Sequence, residues 1–349
     1  MMFKKGASVA KFAGTLALGA LGGWLMWHFD MPLAWLNGAI IATGLGALFR
    51  LPVAIPPFAR APVTAAIGAM LGTSFSPAMF EHAGSWLLSL GGLAVFIAAE
   101  GALVYIYFRR IAGFDHPTAY FSAMPGGLVG MATLGLERGG DEKMIALAQA
   151  ARIILVTLAL PFLIRSVTGV APDLSGGAAF IPLSSVHTYD VLWFSVAVLF
   201  GVAAGILLRL PARYLLGPMS ASAILHLMGM TQFAPPTAAR AVAQVVIGAT
   251  IGCRFAMAPP RKIVEVIGLS FGSTILLLSV TLAFAGAISF LTGDRFTALI
   301  LAYSPGSVAE MSLIALSLGV EIPFVVVHQI VRLFLVVGGA AAVFRLLKR

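Results

Sequence analysis

The stretch Ser122-Ala123-Met124-Pro125-Gly126-Gly127-Leu128 interrupts an apolar run over about 118–136. A second stretch, Tyr303-Ser304-Pro305-Gly306-Ser307-Val308, interrupts another run over about 296–318. Proline removes a backbone donor and clashes with the preceding turn, and glycine loosens the chain further. Each stretch is therefore predicted to break a membrane helix near mid-bilayer, as a broken or re-entrant helix. Unpaired backbone at that depth is tolerated only inside protein or against a wet cavity. Its N–H and C=O groups, with the ends of the half-helices, are ready ligands for an ion or a carboxylate. One such break reads equally well as a packing kink. Two at matched positions point to a functional crossover.

The matching is a property of the whole chain. Positions 125 and 305 are 180 apart, and the same shift superposes Ile67-Gly68-Ala69 on Ile247-Gly248-Ala249. It also pairs Gly72 with Gly252, Phe75 with Phe255, Arg60 with Arg240, and Met131 with Met311. Gly139 falls on Gly319, Gln149 on Gln329 and Arg152 on Arg332. Membrane segments match by chance in Leu, Val and Ala, but not in Gly, Pro, Gln and Arg together. The expected organisation is a first membrane repeat over 12–165, a linker over 166–190 and a second repeat over 191–348. Internal repeats are a recurring plan of secondary transporters.

Composition sets the solvent. The 349 residues are 60% apolar and 10% charged. Soluble domains average about 45–50% and 25%, so this chain cannot cover a water-facing surface. The fold class is an all-α polytopic membrane protein with roughly ten to twelve transmembrane helices. Apolar runs lie near 12–29, 33–49, 61–75, 84–108, 118–136 and 144–164, then 191–208, 212–230, 238–256, 265–291, 296–318 and 324–346. The beginning, from Lys4 to about Phe29, has the outline of a signal peptide. Its longer apolar run and the spans that follow favour an uncleaved first helix.

The formal charge of +9 sits at helix ends and at both termini. Lys4, Lys5 and Lys11 precede the first run, and Arg345, Lys348 and Arg349 close the last. That distribution is a topology signal, not a nucleic-acid surface. With a cytoplasmic start, six crossings per half put Arg209, Arg213, Arg254, Arg261 and Lys262 outside, against the positive-inside trend. An odd number of crossings per half inverts the second copy and brings those five inside. The sequence leaves both open and leans to inversion.

Polar residues within apolar runs are costly and tend to face a bundle interior. Gln149 and Arg152, like Gln329 and Arg332, are three apart and share a helix face. Glu310 lies five residues past Pro305, where the first copy has Gly130. The candidate binding set is Pro125, Gly126, Gly127, Gln149, Arg152, Pro305, Gly306, Ser307, Glu310, Gln329 and Arg332. The bland alternatives are that Arg332 only neutralises Glu310 and that Arg152 only snorkels. Glu100, inside the run 84–108, is a weaker candidate because its counterpart Val280 is apolar. His328 adjoins Gln329, but the six histidines show no metal-ligand spacing. The single cysteine, Cys253, excludes an internal disulfide and a CxxC site. No Walker A sequence and no dinucleotide-binding fingerprint occurs, so no cofactor or enzymatic activity is expected.

These residues resemble the membrane AbrB family, which the resemblance marks as a Gram-negative inner-membrane group defined by a duplicated hydrophobic domain. The resemblance rests on Ala123-Met124-Pro125-Gly126-Gly127-Leu128, Gly139, Gln149 and Arg152 with their second copies, and covers about 15–165 and 195–348. The family pattern often has Glu three residues after the second Gly; here Glu310 keeps it and Gly130 does not. Family members carry regulator and ammonia monooxygenase labels. The residues offer neither a DNA-recognition element nor a copper or iron ligand cluster. The expected function is a secondary carrier of a small anionic solute in the bacterial plasma membrane. The alternative is a membrane regulator that affects gene expression indirectly. The partners called for are the bilayer and a small-molecule or ion ligand, without nucleic acid; a homo-oligomer is left open.

Overall fold

A computed structural model describes residues 2–75, 77, 86–169, 181–182, 184, 187–210, 212–231, 233–257 and 259–347. The expected linker 166–190 falls mostly outside these, as do the terminal Lys348 and Arg349. Every described element is helical. The first half holds α1 (Met2–His28), α2 (Ala34–Leu48), α3 (Pro57–Gly72), α4 (Trp86–Arg110), α5 (His116–Ala123), α6 (Leu128–Glu137) and α7 (Glu142–Thr168). The second holds α8 (Thr188–Leu207), α9 (Arg213–Leu227), α10 (Thr237–Gly252), α11 (Pro260–Thr292), α12 (Phe296–Tyr303), α13 (Val308–Ser317) and α14 (Ile322–Leu347). At a shift of 180, α3, α5 and α6 coincide end for end with α10, α12 and α13. Glycines with positive φ end equivalent helices: Gly113 and Gly293 after α4 and α11, Gly139 and Gly319 after α6 and α13.

Among the described residues, six helices are long and apolar enough to cross a membrane: α4, α7, α8, α10 with the turn after it, α11 and α14. The chain is a polytopic helical membrane protein. The apolar run over 118–136 is cut into α5 and α6, and 296–318 into α12 and α13. The cause is local. A residue before proline is pushed out of the helical region, and Met124 and Ser304 are accordingly extended at ψ 130 and ψ 133.

Two compact units draw on both halves of the sequence. One contains α1–α3 and α8–α10. Its helices approach closely through glycine. A Cβ on Gly68 would strike Leu215 O of α9, and one on Gly248 would strike Leu36 O of α2. Small residues replace the hydrophobic effect as the means of helix association in lipid. The other unit contains α4–α7, α11, α12, α14 and the first turn of α13. In it α4 packs on α5 and α11, and α7 packs on α5, α6, α11 and α12.

Candidate functional site

Helices α5 and α6 form a hairpin within the second unit. The N–H of Asp141, just past α6, donates to Thr118 Oγ1 at the start of α5 at 2.9 Å. The entry of one half-helix and the exit of the other are thus side by side, with Pro125-Gly126-Gly127 at the tip. Eight and ten residues extend about 12 and 15 Å, which reaches halfway into a hydrocarbon core of about 30 Å. The hairpin is braced by an aromatic cluster of Tyr120, Phe121, Met131, Ile145, Val336 and Phe344. Tyr120 Oη donates to Ala340 O of α14 at 2.9 Å.

Breaking a helix orphans the carbonyls of its last turn. Gln149 of α7 supplies donors to those of α5: its Nε2 reaches Phe121 O and Met124 O at 2.8 Å and Ser122 O at 3.3 Å. Gln329 of α14 does the same for α12, reaching Leu301 O at 2.8 Å, Ser304 O at 3.0 Å and Ala302 O at 3.3 Å. Every partner is displaced by 180. The two glutamines are thus capping groups for the tips, and both are buried.

The arginines stand one turn further along the same helices. Arg152 donates to Ala123 O and to Gln149 Oε1. Arg332 spans its own tip, with one terminal nitrogen on Ser304 O and the other on Gly306 O. Both side chains are buried, and neither Nε has a hydrogen-bond partner. The hydroxyls of Ser122 and Ser304 and Gln329 Oε1 are buried without partners as well. Pro125, Gly126 and Pro305 are buried, whereas Gly127 and Ser307 at the same tip position are exposed. The N-termini of α6 and α13 begin at these tips and present their positive dipole ends there.

Two carboxylates complete the site. Glu310 closes a capping box: Ser307 N donates to Glu310 Oε2 at 3.1 Å, and Glu310 N donates to Ser307 Oγ at 3.3 Å. The pattern Ser-x-x-Glu is a helix-start signature, so Glu310 has a structural task besides its charge on Arg332. Glu100 of α4 has none. It is fully buried, neither oxygen has a hydrogen-bond partner, and the charged groups acting on it are Arg152 and Arg332. Its counterpart Val280 is apolar, so the repeat does not single it out. The available signal was the cost of a carboxylate in the middle of a 25-residue apolar helix.

His328 does not join the site. Its ring is held by Ser89 Oγ at 2.9 Å and Phe324 O at 2.8 Å. Adjacent helix positions point about 100° apart, which separates it from Gln329. An apolar cavity of about 560 Å³ lies beside the first tip between α4, α5 and α14, lined by Ile97, Gly101, Met124 and Val336 among others. It lacks charged lining and so does not suit an anion. Among the described residues no three His, Cys, Asp or Glu side chains gather as a metal site.

A family model described as transition state regulatory protein AbrB matches residues 35–348. The chain is 27% identical, over an alignment of 365 positions, to uncharacterized protein YhjN of Bacillus subtilis (strain 168), covering 99% of this chain and 95% of that one. It is also 27% identical over 319 positions to a protein of Escherichia coli (strain K12) named "Putative regulator AbrB", covering 90% of each.

Proposed function

The chain belongs to the AbrB family, and on that premise we propose that it is a secondary carrier of a small anionic solute in the bacterial plasma membrane. One observation carries the reading. Two buried guanidiniums stand at two Pro-Gly tips, each with an N–H that has no protein partner. Buried polar groups are satisfied as a rule, and exceptions need a reason. A carboxylate or similar oxyanion supplies the missing acceptor, and arginine forks suit its geometry. Half-helix N-termini facing an anion near mid-membrane are a known transporter device.

Charge placement supports an inverted duplication. If each hairpin returns to the face it entered, and α1 and the shorter helices α2, α3 and α9 cross as well as the six long ones, then α1, α2, α3, α4 and α7 are the crossings of the first half. Five is odd, so the second half starts on the opposite face. The connections after α2, α4, α6, α8 and α10 then share the side of the N-terminus. They hold Arg50, Arg60, Arg109, Arg110, Arg138, Lys143, Arg209, Arg213, Arg254, Arg261 and Lys262. The opposite side holds Arg165, Arg240 and Arg295. This division obeys the positive-inside rule. It also brings the two tips toward mid-membrane from opposite faces.

The alternative is a membrane regulator that binds the same anion without net transport, the role suggested by the name of the Escherichia coli relative. Uptake into proteoliposomes separates the two. A carrier exchanges labelled succinate, acetate or phosphate across the bilayer, and Arg332→Lys lowers the rate at least tenfold because lysine cannot span both tip carbonyls. Binding of these anions with no flux in the wild type would favour the regulator.

A further inference from the structure

We propose that Glu100 is the proton carrier of this anion site: its carboxylate is the resident counter-ion of Arg152 and Arg332, and it takes up one proton as an anion enters. The proposal rests on the anion reading above and adds the coupling ion to it.

Glu100 interacts electrostatically with both Arg152 and Arg332, and Glu310 with Arg332; fully ionised, the four charges sum to zero. Bringing an anion into a buried neutral cluster leaves a net negative charge away from water, which is strongly unfavourable. One added proton restores neutrality. The proton forms an O–H bond on Glu100 and cancels its charge, and the incoming anion takes over as the counter-charge of the guanidiniums. No other bond breaks and no further reactant is needed.

Glu100 is the better acceptor of the two acids. The Glu310 carboxylate accepts the Ser307 N–H that starts α13, so protonation there competes with a cap. Both Glu100 oxygens lack hydrogen bonds, so a proton disturbs nothing. A metal cation is a poorer fit than a proton. It would sit between two guanidiniums that repel it, and it needs several oxygen ligands.

Other titratable groups around α4 are already engaged. Tyr105 of α4 is bonded to His116 at the start of α5, and Tyr107 donates to Leu269 O of α11. Tyr120 of α5 donates to Ala340 O of α14. Tyr303 of α12 donates to Ser89 O, and His328 of α14 holds Ser89 Oγ. On α11, Lys262 and Glu265 form an exposed pair at its N-terminal end. From α7 and α14, the charges acting on Glu100 are Arg152 and Arg332.

The test is calorimetric titration of the full-length protein in detergent with succinate and with acetate. Two buffers of unequal ionisation enthalpy give the protons taken up per anion bound. All measurements are made above the probes' own titration range. The wild type is expected to take up about one proton per anion, and its affinity to rise about tenfold for each pH unit lowered. Glu100→Gln is expected to bind without proton uptake and without that slope, while the exposed Glu265→Gln behaves as wild type. The wild type alone also decides, should Glu100→Gln not fold. A protonated-carboxyl stretch must appear in its infrared difference spectrum on succinate binding. Arg332-dependent binding with no proton uptake, or with uptake unchanged in Glu100→Gln, overturns this proposal and leaves the anion site standing. Failure of the wild type to bind either probe overturns the anion site and this proposal with it.

Discussion

Arg332→Ala is expected to lower unfolding stability by about 3–5 kcal/mol, the range for removing one partner of a buried charge network. Two losses combine. The carbonyls of Ser304 and Gly306 lose their guanidinium donors, and Glu100 keeps only Arg152 as a counter-charge. Both effects arise in the buried interior, where water cannot substitute. A second substitution separates them. Arg332→Ala with Glu100→Gln removes the stranded negative charge along with its partner, so the double variant should be less destabilised than the sum of the singles. Groups in one network couple in this way, whereas independent sites add. Thermal unfolding in detergent reads both quantities. A single variant with unchanged melting, or strict additivity, would show that the guanidinium holds nothing together.

Gly126→Leu should be the most damaging change at the first tip. A Cβ there would collide with the end of Met131 and approach Val336 Cγ1 to 3.0 Å. Met131 is wholly buried in the cluster with Tyr120, Phe121 and Phe344. Overpacking of this kind costs about 1–3 kcal/mol, and relief requires the tip itself to move. Gly126→Ala is milder, because the flexible methionine end yields. The pattern repeats at Gly306 against Met311. The expected readout is a protein that inserts and purifies, melts at a lower temperature and no longer responds to anions. A Leu variant with normal anion response would mean that the tip backbone takes no part in binding.

Much of this fold is legible in the sequence. The apolar runs predicted helices close to the observed ones, because membrane helices are written in long uninterrupted stretches. What the runs could not say was whether 118–136 is one kinked span or a hairpin. Both have the same composition and the same Pro125-Gly126-Gly127 break. The difference lies in a bond between Thr118 and Asp141, 23 residues apart, and periodicity carries no information at that range. The interleaving of helices from both halves into each unit is a tertiary fact of the same kind.

The site divides in the same way. Spacing placed Gln149 with Arg152 and Gln329 with Arg332, and both pairs meet the tips. Their task as donors to broken-helix carbonyls depends on α7 and α14 lying against α5 and α12, which sequence alone does not fix. Glu310 looked like a ligand because it is charged and apolar residues surround it. The Ser307-x-x-Glu310 pattern, an ordinary helix start, was readable and is what the residue forms first. Glu100 stands out in the fold because its carboxylate is buried without a hydrogen-bond partner, which the apolar counterpart Val280 gives no reason to expect.

The central claim is that two Pro-Gly tips reach a shared depth from opposite faces of the membrane. The direct measurement is side-specific labelling of single cysteines in a Cys253→Ser background, at Asp141→Cys and Glu321→Cys, the matched exposed positions that follow α6 and α13. An impermeant maleimide should label position 321 in intact cells, and position 141 only in inverted vesicles. Labelling of both positions from one face would make the repeats parallel and would contradict the account.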